Sequence, residues 1–199
     1  MGTRSVLALD TATSTGWAWK ACDGSFMHSG AMSFKDKDER HLGDRFHKAC
    51  EQFCTMMVDW KPDLVIYEMV VGGKKAGGNT SLIQKGLEAL AQLACARADI
   101  PFFDIGAGTI KKWATGDGSW NTTKLHMCKA AVDTFPNHVF ILKKSTKAKP
   151  WWINDDEVDA VWLADLGCHM LEAADHPHSL VNKDYRDKLI KQLTREKWK

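Results

Sequence analysis

Two short apolar runs, V-L-A-L at residues 6–9 and L-V-I-Y at residues 64–67, each stop at an acid, Asp10 and Glu68. Apolar runs without polar alternation are how strands covered on both faces read, so the chain is expected to form a sheet with packing on either side. A carboxylate at the core end of such a strand is costly to desolvate unless it is paired, hydrogen-bonded or bound to a metal. Taken alone, Asp10 is equally a cap of the turn from Thr11 to Gly16. Two buried strands that each deliver a carboxylate at the C-terminal end make a pattern.

The rest of the chain supplies three more strands and several helices. Residues 15–20 and 26–34, separated by the turn A-C-D-G-S, complete an antiparallel meander with the first run. Apolar positions 42, 46, 49, 50, 53 and 57 predict a helix over 42–58, ended by K-P-D at 61–63. Residues 69–80, M-V-V-G-G-K-K-A-G-G-N-T, read as a mobile basic loop that sets Lys74 and Lys75 beside Glu68, and they lack the P-loop pattern. A helix over 81–98, a strand over 101–105, a short helix closed by a glycine turn within 106–118 and a helix over 121–135 follow. Residues 154–174 predict a helix apolar almost all round, hence buried, whose first turn nevertheless reads N-D-D-E-V-D.

Composition narrows the class. With 199 residues, 44% of them hydrophobic, the chain is long enough for one domain with a full core. The net charge of +2 carries no nucleic-acid signal, so charge distribution must supply it. Lys143, Lys144, Lys147 and Lys149 lie close together without an acid and run into Trp151 and Trp152, a pattern suited to a nucleic-acid backbone and exposed bases, or to a solvated loop whose tryptophans pack on the core. Residues 182–199 are basic and carry Tyr185, Leu189 and Leu193 as a narrow stripe, which predicts a surface helix. The six cysteines lack C-x-x-C spacing and are read as reduced; His47, Cys50 and Cys54 share a helix face that reads as buried packing rather than a zinc site. No run of 18 or more apolar residues and no signal-like N-terminus occurs, so a cytoplasmic location without a membrane span is expected.

Asp156 and Asp159 stand three residues apart, on one helix face. Near a helix start such acids also serve simply to complement the dipole. Together with Asp10 and Glu68, though, they make four carboxylates that cannot all stay ionised in one place without a cation. Oxygen donors without well-spaced His or Cys point to Mg²⁺, with Mn²⁺ as a substitute. Two such ions about 4 Å apart are the arrangement that hydrolyses phosphodiesters.

L-D-T-A-T-S-T-G-W-A, V-I-Y-E, T-I-K-K-W-A-T-G-D-G and D-E-V-D-A-V-W-L-A occur in that order, and in this the sequence resembles the RuvC family of Holliday junction resolvases, within the RNase H-like superfamily, and its divergent phage-borne members most of all. The resemblance implies an α/β fold: an RNase H-like mixed five-stranded sheet, an antiparallel meander of three plus parallel strands, flanked by helices. It implies a nuclease domain over residues 1–178, with 179–199 as a basic C-terminal extension outside it. It further implies a crossover junction endodeoxyribonuclease that cuts four-way or otherwise branched DNA as a homodimer, in the host cytoplasm if phage-encoded, with two Mg²⁺ per active site.

Carried over by motif position, Asp10, Glu68, Asp156 and Asp159 match the acidic metal-binding tetrad, with Asp155 an alternative ligand because the D-D pair leaves the register open by one. Lys124 lies near a lysine that the family uses on the scissile phosphate. Thr109, Lys111 and Lys112 match its basic short helix, and Lys74, Lys75, Lys143, Lys144 and Lys147 add candidate DNA contacts. Bacterial members carry an aromatic wedge three residues after the second acid; Val71 stands there in this sequence. Two other readings share part of the pattern. L-A-L-D-T-A-T also resembles the start of the actin-like superfamily, which would make the chain a TsaB-type binding scaffold, and a catalytically idle relative would bind branched DNA without cutting it.

Overall fold

The structure is a computed structural model, and it describes residues 3–35, 41–70, 78–119, 121–143 and 153–175. The first apolar run forms β1 (Ser5–Asp10), the middle strand of a five-stranded sheet ordered β3-β2-β1-β4-β5. β2 (Ser14–Ala21) and β3 (Met27–Ser33) pair antiparallel beside it, as the meander predicts. On its other side β4 (Leu64–Glu68) and β5 (Phe102–Ile105) run parallel to β1. The sheet is therefore mixed, with the second apolar run directly against the first.

The absence of alternation in both runs has the expected cause: each face has its own core. Val6, Ala8, Leu64, Ile66, Phe103 and Ile105 pack on the side of α3 (Ala107–Thr115), α4 (Lys124–Thr134) and α5 (Asp155–Asp175). Leu7, Leu9, Val65 and Tyr67 face the opposite way, against α1 (Leu42–Trp60) and α2 (Gly78–Arg97), where Phe53 and Leu87 are fully buried. α1 ends where K-P-D predicts, with Lys61 in the left-handed region at φ 43° and its N–H on the Met57 carbonyl.

α5 is buried nearly all round and lies across β1, β2 and β4. Two glycines set how close it comes. A Cβ on Gly16 of β2 would sit 1.8 Å from the Asp156 carbonyl oxygen, and one on Gly167 would sit 2.7 Å from the Val6 side chain. Only a residue without a side chain permits either approach. Helix and sheet are thus pressed together at two points, which leaves α5 one rotational setting over β1.

Three sequence readings need correction. α2 begins at Gly78 rather than at residue 81, because Gly, Asn and Thr disfavour helix interiors but are tolerated in a first turn. α4 begins at Lys124 rather than at 121: Thr122 donates its hydroxyl to the Asp117 carbonyl (2.7 Å), and the Thr123 N–H donates to His126 Nδ1 (3.2 Å), so these threonines close a turn and cap the helix. His47 is exposed and ion-paired with Glu51, while Cys50 and Cys54 are half-buried. The buried-packing reading therefore holds for that face only in part.

Candidate metal centre

Parallel pairing of β1 and β4 sets Leu9 opposite Tyr67, so the next residue on each strand, Asp10 and Glu68, leaves the sheet at the same edge. Strand alternation aims both toward the α5 side, the side of Val6, Ala8, Leu64 and Ile66. Gly16 lies across from Asp10 in β2, and it is against Gly16 that the first turn of α5 rests. Asp159, one turn further along α5, then meets the two strand acids: one carboxylate oxygen each from Asp10, Glu68 and Asp159 lies within 4.8 Å of the others.

Asp156 lines the same cavity, of about 350 Å³, together with Lys111 and Lys124. Its Oδ2 accepts hydrogen bonds from the Ser14 hydroxyl (2.8 Å) and from Lys143 Nζ (3.2 Å). Asp155 is 2% exposed and does not line the cavity; it binds Lys143 Nζ at 2.9 Å and Lys124 Nζ at 3.3 Å. Of the two acids between which the sequence leaves the register open, Asp156 lines the cavity and Asp155 does not, while both bind Lys143. Lys124 also reaches Asp159 at 3.0 Å and Asp156 at 4.0 Å, which brings this predicted residue fully into the site.

Burial is the main cause of the charge imbalance here. It raises the Asp10 carboxyl well above its ordinary value, and the neighbouring Asp159 and Glu68 push it further. Glu68 is lifted to about 7 by burial and by Asp159, with Lys124 and Lys111 opposing. Burial raises Asp159 too, against the pull of Lys124. For Lys124 burial works toward loss of its charge, but Asp159 and Asp155 override it and the net shift is upward. A converging set of oxygen donors whose ionisation is suppressed by burial and mutual repulsion suits a hard divalent cation, which would offset two of their charges.

The remaining predicted residues divide into three groups. Lys111 reaches the cavity, while Thr109 is half-buried and Lys112 exposed on the same short helix α3. Lys143 turns inward to Asp155 and Asp156 instead of outward. Lys74, Lys75, Lys144 and Lys147 lie outside the described residues, as do Val71, Lys149, Trp151, Trp152 and the basic tail.

Sequence reasoning missed several supporting groups. Ser14, within the hydroxyl-rich T-A-T-S-T, binds Asp156. Asn154 caps α5, its side-chain oxygen accepting from the Asp156 N–H at 3.0 Å and the Glu157 N–H at 3.4 Å. An Asn directly before D-D-E is the signal that could have found it. Glu157, fully buried, accepts from the Ser29 hydroxyl (2.5 Å) and the Ile141 N–H (2.7 Å), and nothing in the sequence separated it from its exposed-looking neighbours.

No family model and no curated protein matches the chain. Solved structures do. The Thermus thermophilus RuvC structure matches with a TM-score of 0.63 and 15% identity, over 88% of this chain and 98% of that one. This chain has the RuvC fold. T. thermophilus RuvC in complex with Holliday junction substrate matches equally well, with a TM-score of 0.63 and 15% identity over 85% of this chain and 94% of that one. The yeast mitochondrial Holliday junction resolvase Ydc2 matches with a TM-score of 0.59 and 14% identity, over 95% of this chain and 84% of that one. Among the described residues no helix is long and apolar enough to cross a membrane.

Proposed function

We propose that this chain is a metal-dependent, structure-selective endonuclease that resolves four-way or otherwise branched DNA. The observation that carries the reading is the meeting of Asp10, Glu68 and Asp159 at the C-terminal ends of two parallel strands, with Asp156 in the same cavity. The fold shared with two junction resolvases supports the choice of substrate. Asp10, Glu68, Asp156 and Asp159 would hold two Mg²⁺, or Mn²⁺ in their place, which when bound activate the attacking water and stabilise the leaving 3′ oxygen.

The chain's own residues do the rest. Asp10, on the central strand and between the other acids, holds the centre of the ligand set. Lys124, kept charged by Asp159 and Asp155, presents a fixed ammonium to the scissile phosphate. Lys111 at the cavity and Lys112 on the exposed side of α3 hold the flanking backbone, with Thr109 beside them. Lys74, Lys75, Lys144 and Lys147, outside the described residues, are assigned as further contacts to the DNA backbone on their charge alone. A homodimer would set two such sites on one junction, giving paired nicks.

Incubation of the purified protein with four-way, three-way and linear duplex DNA in Mg²⁺ or Mn²⁺ tests this. Cleavage of branched but not linear DNA is expected, and Asp10→Asn should abolish it while junction binding persists. Nicking by the Asn variant at the wild-type rate overturns the assignment of the site, and a binding scaffold or an idle relative would leave every substrate uncut.

A further inference from the structure

The segment that carries Lys143 is tied down at several points. The Ile141 N–H donates to Glu157 Oε2 at 2.7 Å, and the Ile141 carbonyl accepts from the Asn154 N–H at 2.8 Å. Leu142 pairs with Ile153 in an antiparallel bridge, and Glu157 is itself fixed by Ser29 on β3. Lys143 is the next residue, so its backbone leaves from a fixed point and its ammonium lands between Asp155 (2.9 Å) and Asp156 (3.2 Å).

That contact divides the carboxylates. Asp10, Glu68 and Asp159 share one space with no lysine from this segment among them. Asp156 stands apart, because the oxygen facing Lys143 is the one that also accepts from Ser14, which leaves that oxygen doubly occupied. A lysine bound to a carboxylate competes with a divalent ion for it, since both satisfy the same charge. A DNA phosphate is the alternative partner for that ammonium, and the lysine side chain, 34% exposed, is within reach of one.

We infer that Lys143 is a positioning residue that withholds Asp156 from the second metal until a phosphate of the bound DNA takes its ammonium. The inference rests on the two-metal reading above and concerns the order in which that site fills. Asp155, buried and paired with both Lys143 and Lys124, is the post that keeps the two lysines apart and aimed.

Calorimetry of the full chain with Mn²⁺ alone, at neutral pH, reads this without cleavage. The wild-type protein should take one Mn²⁺ per chain, with a second at least about tenfold weaker. Lys143→Met and Lys143→Gln, each checked for an unchanged unfolding temperature, should tighten the second site by about tenfold. Lys143→Arg should behave as wild type, and Asp156→Asn should lose the second site in either background. With an uncleavable four-way junction present, the second site of the wild type should tighten and that of the Met variant should not tighten further. Identical isotherms for wild type and the Met and Gln variants, with one Mn²⁺ still bound, overturn the role of Lys143 alone. Absence of Mn²⁺ binding throughout overturns the metal site with it.

Discussion

Helix α5 carries ion-paired acid at two places, and they are satisfied in opposite ways. Asp165 is matched one for one or better: Lys20 pairs with one oxygen, the Trp113 indole N–H donates to the other at 2.8 Å, and Lys20 also lies 5.4 Å from the centre of the Phe135 ring. At the N-terminal end Asp155, Asp156 and Asp159 join Asp10 and Glu68, and Lys124 and Lys143 are the cations bonded among them. The first place is a closed pair whose removal would leave an unmatched charge. Among the described residues the second has more acids than bonded cations, and burial together with mutual repulsion holds Asp10, Asp159 and Glu68 above their ordinary values, Glu68 at about 7. A structural ion pair and the proposed cation site thus differ in the arithmetic of charge.

The contrast breaks most sharply under substitution of Asp159. Asp159→Asn should lower junction cleavage by about a thousandfold or more, since a ligand of both proposed functions, metal binding and Lys124 alignment, is lost. Single-turnover cleavage in Mg²⁺ measures it. The same variant should melt no lower than wild type without metal, because one repelling charge is gone. Gly16→Ala tests the approach that creates the site: a Cβ 1.8 Å from the Asp156 carbonyl forces α5 off β2, and urea unfolding should show a loss of about 3 kcal/mol together with weakened Mn²⁺ binding.

The pH dependence of stability should separate the two places as well. Glu68 titrates near 7 in the folded chain against an ordinary 4.5, so the folded state keeps a proton that the unfolded chain releases. The part of the stability that Glu68 carries, read in a chelator as wild type against Glu68→Gln, should therefore be greatest below about pH 4.5, fall as pH rises toward 7 and level off above it, by at most about 3 kcal/mol. Added Mn²⁺ should remove the decline, and a profile in chelator that is flat or rises from pH 5 to 7 would show that the acids are compensated internally. The smallest effect belongs to the closed pair: Asp165→Asn should cost about 2 kcal/mol by urea unfolding, less than a fully buried pair because both partners keep some exposure, and leave the cleavage rate as it is.

What the sequence made legible follows from where periodicity carries information. The apolar runs at 6–9 and 64–67 marked β1 and β4, and the acid after each marked the edge of the sheet where they converge. The helix over 154–174 was equally plain as an element, yet its rotation was not, because a helix that is apolar all round has no polar stripe to say which side faces the sheet. That is why Asp155 and Asp156 could not be told apart by pattern. Gly16 and Gly167 settle the rotation, and a glycine shows its purpose only when the partner backbone is in place. Ser14, Glu157 and the inward turn of Lys143 depend on contacts between residues far apart in the chain, which no local spacing encodes.

The bridge between Leu142 and Ile153 has a consequence for how such a protein can change over time. Leu142 and Ile153 pair across it, so the two described ends that flank residues 144–152 are joined at one place. Doubling the length of a flexible loop costs only about 0.6 kcal/mol in closure entropy. A change in the length of sequence between those two residues would therefore leave the bridge, and the strands and helix it is tied to, where they are.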